Sequence, residues 1–301
     1  MDEHFRAFTF VNRITSIHVG QQVRGRYHIP PALSDFPLSL VGEAIGQLAA
    51  WSAIAAVDFK SRPVAGIAAK IEMLNPVKPG DELELAADLD SVDAEAVSYG
   101  GLATVGGKPI LRLEHCVGPM VSLEDFDDPN ALREHFTFLC NSGTNEHAFQ
   151  GVPPVIPQRI AGEAGKWARA SIQVPESAPF FADHFPRRPV FPGTLLMHAN
   201  LQIAAGLAAE LPESPGGSPW TIRSVQDVKL RAFTPPGELL ESEVKLLESA
   251  SEPEPEGASP SPPQEERAGE RRPFRVLSLE TRKGKRLIGS ARVNLAPETK
   301  S

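Results

Sequence analysis

The sequence FADHFPRRPVFPGTLL, residues 181–196, decides the fold of the second half of this 301-residue chain. Its three prolines, Pro186, Pro189 and Pro192, stiffen a loop, because the pyrrolidine ring fixes the φ angle. Residues 193–211 then follow, rich in Ala and Leu, as expected for a long buried helix with a proline just ahead of its first turn. The stretch therefore predicts a rigid loop that carries His184 and leads into a long helix.

The same order of segments occurs in the first half of the chain, which indicates an internal repeat. Phe36-Pro37 precedes a second Ala- and Leu-rich segment at residues 40–58. In each half a strand-like segment comes before the helix and a Pro-Gly-acid turn after it, the latter at residues 79–81 and 236–238. We therefore expect two similar α+β units, each with one long helix and several antiparallel strands.

The two predicted units occupy residues 1–120 and 155–301, with a crossing linker at 121–154. The Asp-Asp-Pro-Asn sequence at 127–130 favours a short capped helix in this linker. Residues 249–273 are dominated by Pro, Glu and Ser, a composition typical of a disordered surface loop. A docking role for that loop is the alternative.

The sequence from His184 to Leu195 resembles the signature of the 3-hydroxyacyl-acyl carrier protein dehydratases, HFPxxPVxPGxL. This resemblance implies a double hotdog fold, in which two curved antiparallel sheets, each wrapped around a long central helix, form a pseudo-dimer. It also implies a catalytic histidine at His184 and, on a central helix, a catalytic acid followed by a glutamine.

The second half departs from that pattern, because the position 14 residues after His184, where the family has its acid, is His198. The first half has the acid instead. Glu43 and Gln47 stand at i and i+4 of its helix and so share one helix face. We therefore expect one composite active site, with His184 from the second unit and Glu43 from the first.

The first half lacks the histidine loop. Pro30 and Pro37 are 7 positions apart, whereas their counterparts Pro175 and Pro192 are 17 apart, so 10 residues are missing. His28 lies near this deletion but aligns with a strand residue of the second half, and we expect no catalytic role for it. His198 is expected to be a polar contact in the degenerate second site.

Dehydration removes a proton from C2 of a 3-hydroxyacyl thioester and expels hydroxide from C3. The resemblance implies that His184 is the base and that Glu43 protonates or orients the leaving hydroxyl. The backbone N–H of Gly193, at a helix N-terminus, would polarise the thioester carbonyl, and Gln47 would hold the carboxyl group. The alternatives are a structural histidine, a conformational glycine and an ordinary polar helix residue.

The implied partner is acyl carrier protein or a coenzyme A thioester, with phosphopantetheine carried by the substrate and no cofactor or metal. Arg187, Arg188 and Phe185 are candidate substrate- or carrier-binding residues, with the two arginines as docking or phosphopantetheine contacts, and Lys229 and Arg231 are weaker candidates. Solvated surface charge is the alternative interpretation.

Composition narrows the class of protein. The net charge of −8 argues against a general nucleic-acid binder. Cys116 and Cys140 lie far apart, without the spacing of a disulfide framework or a zinc site, which favours a cytoplasmic protein, and residues 1–6 do not resemble a secretory signal. Residues 41–59 are apolar, but they include Glu43 and Gln47 and predict a buried helix rather than a membrane span.

Three other functions remain open at this point. A hotdog thioesterase and a dehydratase that also isomerises the double bond would use the same fold, since fold does not fix function. A non-catalytic acyl-binding or assembly module is the alternative from a different class. Association of the pseudo-dimer into larger homo-oligomers is also left open.

Overall fold

The computed structural model describes residues 4–144, 149–214, 216–247 and 274–298. The loop predicted over residues 249–273 lies outside these ranges.

The first unit and the linker contain seven strands and two helices. They are β1 (Arg13–His18), β2 (Gln22–His28), α1 (Leu38–Ala56), β3 (Ser61–Pro63), β4 (Ile67–Met73), β5 (Glu82–Val92), β6 (Ala96–Val105), β7 (Lys108–Ser122) and α2 (Pro129–Asn141).

The second unit repeats this order after the linker. Its elements are β8 (Gln158–Glu163), β9 (Trp167–Gln173), a 3₁₀ turn (Pro179–Ala182), α3 (Gly193–Ala209), β10 (Trp220–Leu230), β11 (Leu239–Leu247), β12 (Arg275–Lys283) and β13 (Arg286–Pro297).

The strand order shows the internal symmetry of the molecule. Twelve strands form one continuous path, β1-β2-β5-β6-β7-β4-β10-β13-β12-β11-β9-β8, and β3 pairs with β7 beside it. From one edge of the sheet inward the order is β1-β2-β5-β6-β7-β4, and from the other edge inward it is β8-β9-β11-β12-β13-β10. The two units therefore have the same strand order, in which β1 corresponds to β8, β2 to β9 and β4 to β10. The double hotdog predicted from the sequence is confirmed, and the units meet where β4 pairs antiparallel with β10, with Ile71 opposite Val225.

Helix α1 packs on the sheet of the first unit. It contacts β1, β2, β5, β6 and β7, and its side chains at Leu40, Ile45 and Leu48 are fully buried. Gly101 on β6 permits this close approach, since a Cβ there would lie 2.3 Å from Cγ2 of Ile45 and 2.7 Å from the Ala86 carbonyl oxygen. α1 is long and apolar enough to span a membrane by composition, but 61% of its most apolar window is buried inside the protein. Its hydrophobicity is therefore accounted for by packing.

Helix α3 occupies the equivalent position in the second unit. It contacts β9, β10, β11 and β12, and it also contacts α1 directly. Both helices begin immediately after the Phe-Pro pairs, as the sequence predicts. The N-terminal halves of the two helices meet, since Thr194 of α3 forms a hydrogen bond with Glu43 of α1. We call the interface between the two units, where β4 pairs with β10, the seam.

The linker packs against the loop that carries His184. Asp128 caps α2 by accepting hydrogen bonds from the backbone N–H groups of Asn130 and Ala131. Ahead of this helix, Phe126 forms a small apolar cluster with Phe185 and Val190 of the second unit. The linker therefore packs directly on the loop that carries His184. The boundaries of the linker, at residues 120 and 155, stay a prediction.

Candidate active site

The loop ahead of α3 fixes the position of His184. The backbone N–H of His184 donates to the Phe180 carbonyl oxygen over 2.9 Å, and its own carbonyl oxygen accepts from Val190 N over 2.9 Å. The imidazole Nδ1 lies 2.8 Å from the Val190 carbonyl oxygen. Because a carbonyl oxygen can only accept, Nδ1 carries the proton in the neutral ring and Nε2 is the basic nitrogen.

The carboxylate of Glu43 is held from both units. Gln47, one turn along α1, donates from Nε2 to Oε1 of Glu43 over 3.0 Å. Thr194, the second residue of α3, donates from Oγ1 to Oε2 over 2.7 Å. Each carboxylate oxygen therefore has a fixed donor, and one of the two donors belongs to the other unit.

Gln47 is itself fixed by the N-terminal segment of the chain. Its Nε2 donates to the Phe8 carbonyl oxygen over 3.0 Å, and its Oε1 accepts from Phe10 N over 2.9 Å. The amide therefore connects the backbone of residues 8–10 to Glu43. This arrangement fits the supporting function expected for Gln47.

One cavity of about 280 Å³ contains all four principal predicted residues, His184, Glu43, Gln47 and Gly193. Both units contribute to its wall. The apolar part of the lining comes mainly from strands and helices at the seam, and it includes Ile67, Ile71, Met73, Met197, Leu201, Val225 and Val228.

The electrostatics of the cavity connect its residues. Burial lowers the pKa of His184, the positive charge of Arg62 lowers it further, and the negative charge of Glu43 opposes both. Glu43 and His184 come from different units and line the same cavity. A neutral imidazole at neutral pH is the form that a general base requires.

Gly193 is the first residue of α3 and lines the cavity. Its N–H belongs to the first turn and has no carbonyl partner earlier in the helix, so it can serve a ligand oxygen. A Cβ at this position would lie 2.5 Å from Cδ1 of Leu230, which would then have to move. Packing and access to the backbone both favour glycine here.

The candidate docking residues have partners within the chain. Nη1 of Arg187 donates to the Glu124 carbonyl oxygen over 2.8 Å, and Nη2 lies 3.3 Å from the Asp128 carboxylate. Arg187 therefore ties the histidine loop to the linker. Arg188 lies over the rings of Phe126 and Phe233, at 5.3 and 5.5 Å. A contact of either arginine with a carrier stays a prediction.

Phe185 lies inside the cavity, and its contact with a substrate or carrier stays a prediction. It is 4% exposed, lines the cavity and stacks on the imidazole of His184, with ring centroids 4.1 Å apart. Of the weaker candidates, Arg231 donates from Nη1 to Ser290 Oγ over 2.9 Å, and Lys229 lies in β10.

The two other histidines singled out in the sequence lie outside the lining of this cavity. His28 is the last residue of β2, as its counterpart Gln173 is of β9. His198 stands at the position of α3 that corresponds to Glu43, and its Nε2 lies 3.1 Å from Nε2 of Gln202, the counterpart of Gln47. The second site thus keeps the pair of positions but has lost the acid.

Among the polar residues of the cavity that sequence reasoning did not single out are Thr194, Arg62 and Asp183. Thr194 is a variable position of the motif, and Arg62 belongs to no recognisable motif. Asp183 precedes His184, and its carboxylate accepts hydrogen bonds from the backbone N–H groups of Phe5 and Phe8. Only the adjacency of Asp183 to the catalytic motif could have drawn attention to it.

Comparison with known proteins places these features in a family. The family described as ApeI-like, ApeI dehydratase, matches residues 161–254. The 3-hydroxyacyl-acyl-carrier-protein dehydratase FabZ of Tolumonas auensis is 34% identical over 120 residues, which are 36% of this chain and 80% of that protein. FabZ of Mannheimia succiniciproducens is 31% identical over 85 residues, 28% of this chain and 57% of the relative, so the match spans little more than half of that relative.

A solved structure supports the fold over nearly the whole chain. A Lactobacillus plantarum protein described as an oleoyl thioesterase aligns with a TM-score of 0.55 and 10% identity, covering 93% of this chain and 98% of that one. At this identity the likeness concerns the fold alone. The sequence relatives, the matching family and the shared fold together show that this chain belongs to the hotdog family of 3-hydroxyacyl-acyl-carrier-protein dehydratases.

Proposed function

We propose that the protein dehydrates 3-hydroxyacyl thioesters to trans-2-enoyl thioesters at one composite site. The observation that carries the proposal is the convergence of His184 and Glu43 on one cavity from different units. Each unit alone lacks one of the two groups that this elimination requires. The pair is complete only because α1 of the first unit and the loop of the second meet at the seam.

His184 is the proposed base. Nε2 takes the proton from C2, and the electrons of the C–H bond form the C2=C3 double bond as the C3–O bond breaks. The hydrogen bond from Nδ1 to the Val190 carbonyl oxygen keeps the ring in the tautomer that this step needs and stabilises the imidazolium that it forms.

Glu43 and Gly193 act on the other two sites of developing charge. Glu43, in its acid form, protonates the leaving hydroxyl so that water departs, with Gln47 and Thr194 holding the carboxyl group in place. The Gly193 N–H, at the positive end of α3, stabilises the enolate-like thioester oxygen. The proton gained by His184 then returns to Glu43, which restores the starting state without a cofactor.

The proposed substrate carries its acyl chain in the apolar part of the cavity, between strands β4 and β10 and the two helices. A phosphopantetheine arm would bring the thioester to His184 from acyl carrier protein, with coenzyme A as the alternative carrier. Such a substrate belongs to fatty acid or polyketide-type synthesis.

A turnover assay with 3-hydroxyacyl thioesters of several lengths, on both carriers, tests this proposal. We expect enoyl thioester to form in the wild type and turnover to fall by roughly 10²–10⁴-fold in His184→Ala and in Glu43→Gln. His198→Ala is the matched control, since it changes the position equivalent to Glu43 in the other unit. Wild-type turnover in Glu43→Gln would contradict the composite site.

The same reactions separate the competing activities. A thioesterase would release free thiol and a 3-hydroxy acid, and neither is expected. An isomerase would convert the trans-2 product into a cis-3 enoyl thioester, which chromatography of the products distinguishes. An acyl-binding module would bind the substrates and leave them unchanged.

A further inference from the structure

Arg62, in the short strand β3, lies in a layered stack with the catalytic loop. Its Cζ is 3.7 Å from the centroid of the Phe185 ring. That ring in turn stacks on the imidazole of His184, with centroids 4.1 Å apart and an interplanar angle of 23°. A guanidinium from the first unit thus covers the outer face of the aromatic ring that packs on the base of the second.

The Arg62 side chain is 14% exposed, and its guanidinium has few partners. Its Nε and Nη1 atoms are inaccessible to solvent and have no hydrogen-bond partner among the described residues. Its counterion is Asp127 of the linker, 3.5 Å from Nη1 and itself 3% exposed. Burial lowers the pKa of Arg62 to about 10, so the group stays positive at neutral pH. A cation kept in such a setting is unfavourable for stability alone, which points to another use.

We propose that Arg62 is a positioning residue for His184: it clamps Phe185 against the imidazole and sets a fixed positive charge beside it. The inference rests on the proposed function, in which His184 is the base. Its effect on the histidine can nevertheless be measured without turnover.

Several charged or titratable groups line the same cavity as His184, among them Tyr99 of β6 and Cys116 of β7, whose pKa values burial raises, so that both stay neutral. The others come from the N-terminal segment, α1, β3, the linker and the histidine loop, and they are His4, Glu43, Arg62, Asp127 and Asp183. Burial is the largest cause that lowers the pKa of His184; Arg62 adds to it and Glu43 opposes it. Without the Arg62 charge, one of the causes that lower the pKa of His184 is lost, and the imidazole would take up a proton at higher pH. A protonated His184 cannot accept the C2 proton.

A purely structural role for Arg62, as the counterion of Asp127, predicts something different. Loss of the arginine would then lower stability and leave the titration of His184 unchanged. The two roles are separated by a measurement on the histidine itself.

The experiment follows His184 by NMR in the full chain labelled on histidine, with His184→Ala to assign its signals. Arg62→Met keeps a long apolar side chain but removes the charge, and Arg62→Lys restores the charge without the planar group. Arg133→Met is the matched control, because Arg133 also lies over a phenylalanine, Phe59, and pairs with an aspartate, Asp58, but lies outside the cavity lining.

In Arg62→Met, we expect the His184 signals to change to those of imidazolium at higher pH than in the wild type. In the turnover assay, the ratio of kcat at pH 6 to kcat at pH 8 should fall roughly three- to tenfold, as expected for one charge over several ångströms at an effective dielectric constant near 20. Arg62→Lys should recover most of this ratio, KM should stay within about twofold, and Arg133→Met should match the wild type.

If Arg62→Met folds and its His184 titrates as in the wild type, the proposal is overturned. The same holds if the imidazole stays neutral over the whole pH range in both the wild type and Arg62→Met. If Arg62→Met does not fold, Arg62→Met/Asp127→Asn removes both charges together. Loss of the negative charge of Asp127 would by itself favour the neutral imidazole. If His184 of the double variant still takes up a proton at higher pH than in the wild type, the proposal is supported all the more. If no protein turns over any 3-hydroxyacyl thioester, the proposed function fails while the NMR result still decides the role of Arg62.

Discussion

The hydroxyl of Thr194 donates a hydrogen bond to Oε2 of Glu43 over 2.7 Å, across the interface between the two units. The carboxylate of the first unit is therefore oriented by the helix that begins just after the catalytic loop of the second. Thr194 follows Gly193 directly, so the same helical turn can hold both the acid and the thioester oxygen. The proposed composite site therefore includes a direct contact between the units.

Replacement of Thr194 should impair the acid step. Thr194→Val keeps the shape of the side chain but removes the donor, and leaving a buried acceptor without its partner costs about 1–3 kcal/mol. We expect kcat/KM to fall by roughly 10- to 100-fold, with little change in thermal stability, while Thr194→Ser keeps most of the activity. Steady-state kinetics on a 3-hydroxyacyl thioester would check this, and equal rates for the valine and serine variants would contradict it.

A contact of the candidate site can be predicted from the sequence when each of its residues lies in a recognisable local motif. That His184 and Glu43 would line one cavity could be predicted, because each lies in a recognisable local pattern and the halves can be aligned. The contact of Asp183 with the backbone of Phe5 and Phe8 could not, because it joins segments about 175 residues apart that no local pattern relates.

The partners of Arg187 and Arg62 also could not be predicted from the sequence. Arg187 is exposed, as its sequence context predicts, and it also donates a hydrogen bond to the Glu124 carbonyl oxygen of the linker, a partner that the sequence does not reveal. Arg62 has no motif at all, yet it lies over Phe185 in the cavity. Burial and partners of a charged side chain are set by tertiary packing, and composition or spacing does not reveal them.

The pH dependence of turnover should reflect the environment of His184. Burial and Arg62 lower the pKa of the imidazole below its ordinary value of about 6.5, so more than half of the base is neutral at that pH. We expect kcat/KM at pH 6.5 to stay within about twofold of its maximum and the acid limb to lie at lower pH. A profile that is already at a small fraction of its maximum at pH 6.5 would show that the imidazole is not held neutral.

Asp183 should make the stability of the protein depend on pH with an unusual sign. Burial raises its pKa from 3.8 to about 6, although the N–H groups of Phe8 and Phe5 oppose this rise. Between these values the folded protein holds more protons at Asp183 than the unfolded chain does. This group therefore makes the free energy of unfolding fall as the pH rises from about 4 to 6.

Asp183→Asn removes that dependence. Relative to the wild type, its free energy of unfolding should increase by up to about 3 kcal/mol between pH 4 and pH 7, as measured by urea denaturation. Asp93→Asn is a suitable control, because backbone N–H groups lower the pKa of this exposed carboxyl and its titration lies below that range. A constant difference between Asp183→Asn and the wild type across the range would argue against a raised pKa.

The acyl chain of the proposed substrate should run along α1, and a substitution in that helix can test its path. Ala50 lines the cavity 7 residues beyond Glu43, which places it about 10 Å farther along the helix. Ala50→Phe would fill the apolar part of the cavity at that distance from the reacting atoms. We expect kcat/KM for a palmitoyl-length 3-hydroxyacyl thioester to fall by at least about tenfold, because its chain would have to displace the ring, and that for a butanoyl-length substrate to change by less than about threefold. Ala56→Phe, at the exposed end of the same helix, controls for the added bulk. Equal losses for both lengths would mean that the chain takes a different route from the thioester, and the strands at the seam, β4 and β10, would then be the next positions to fill.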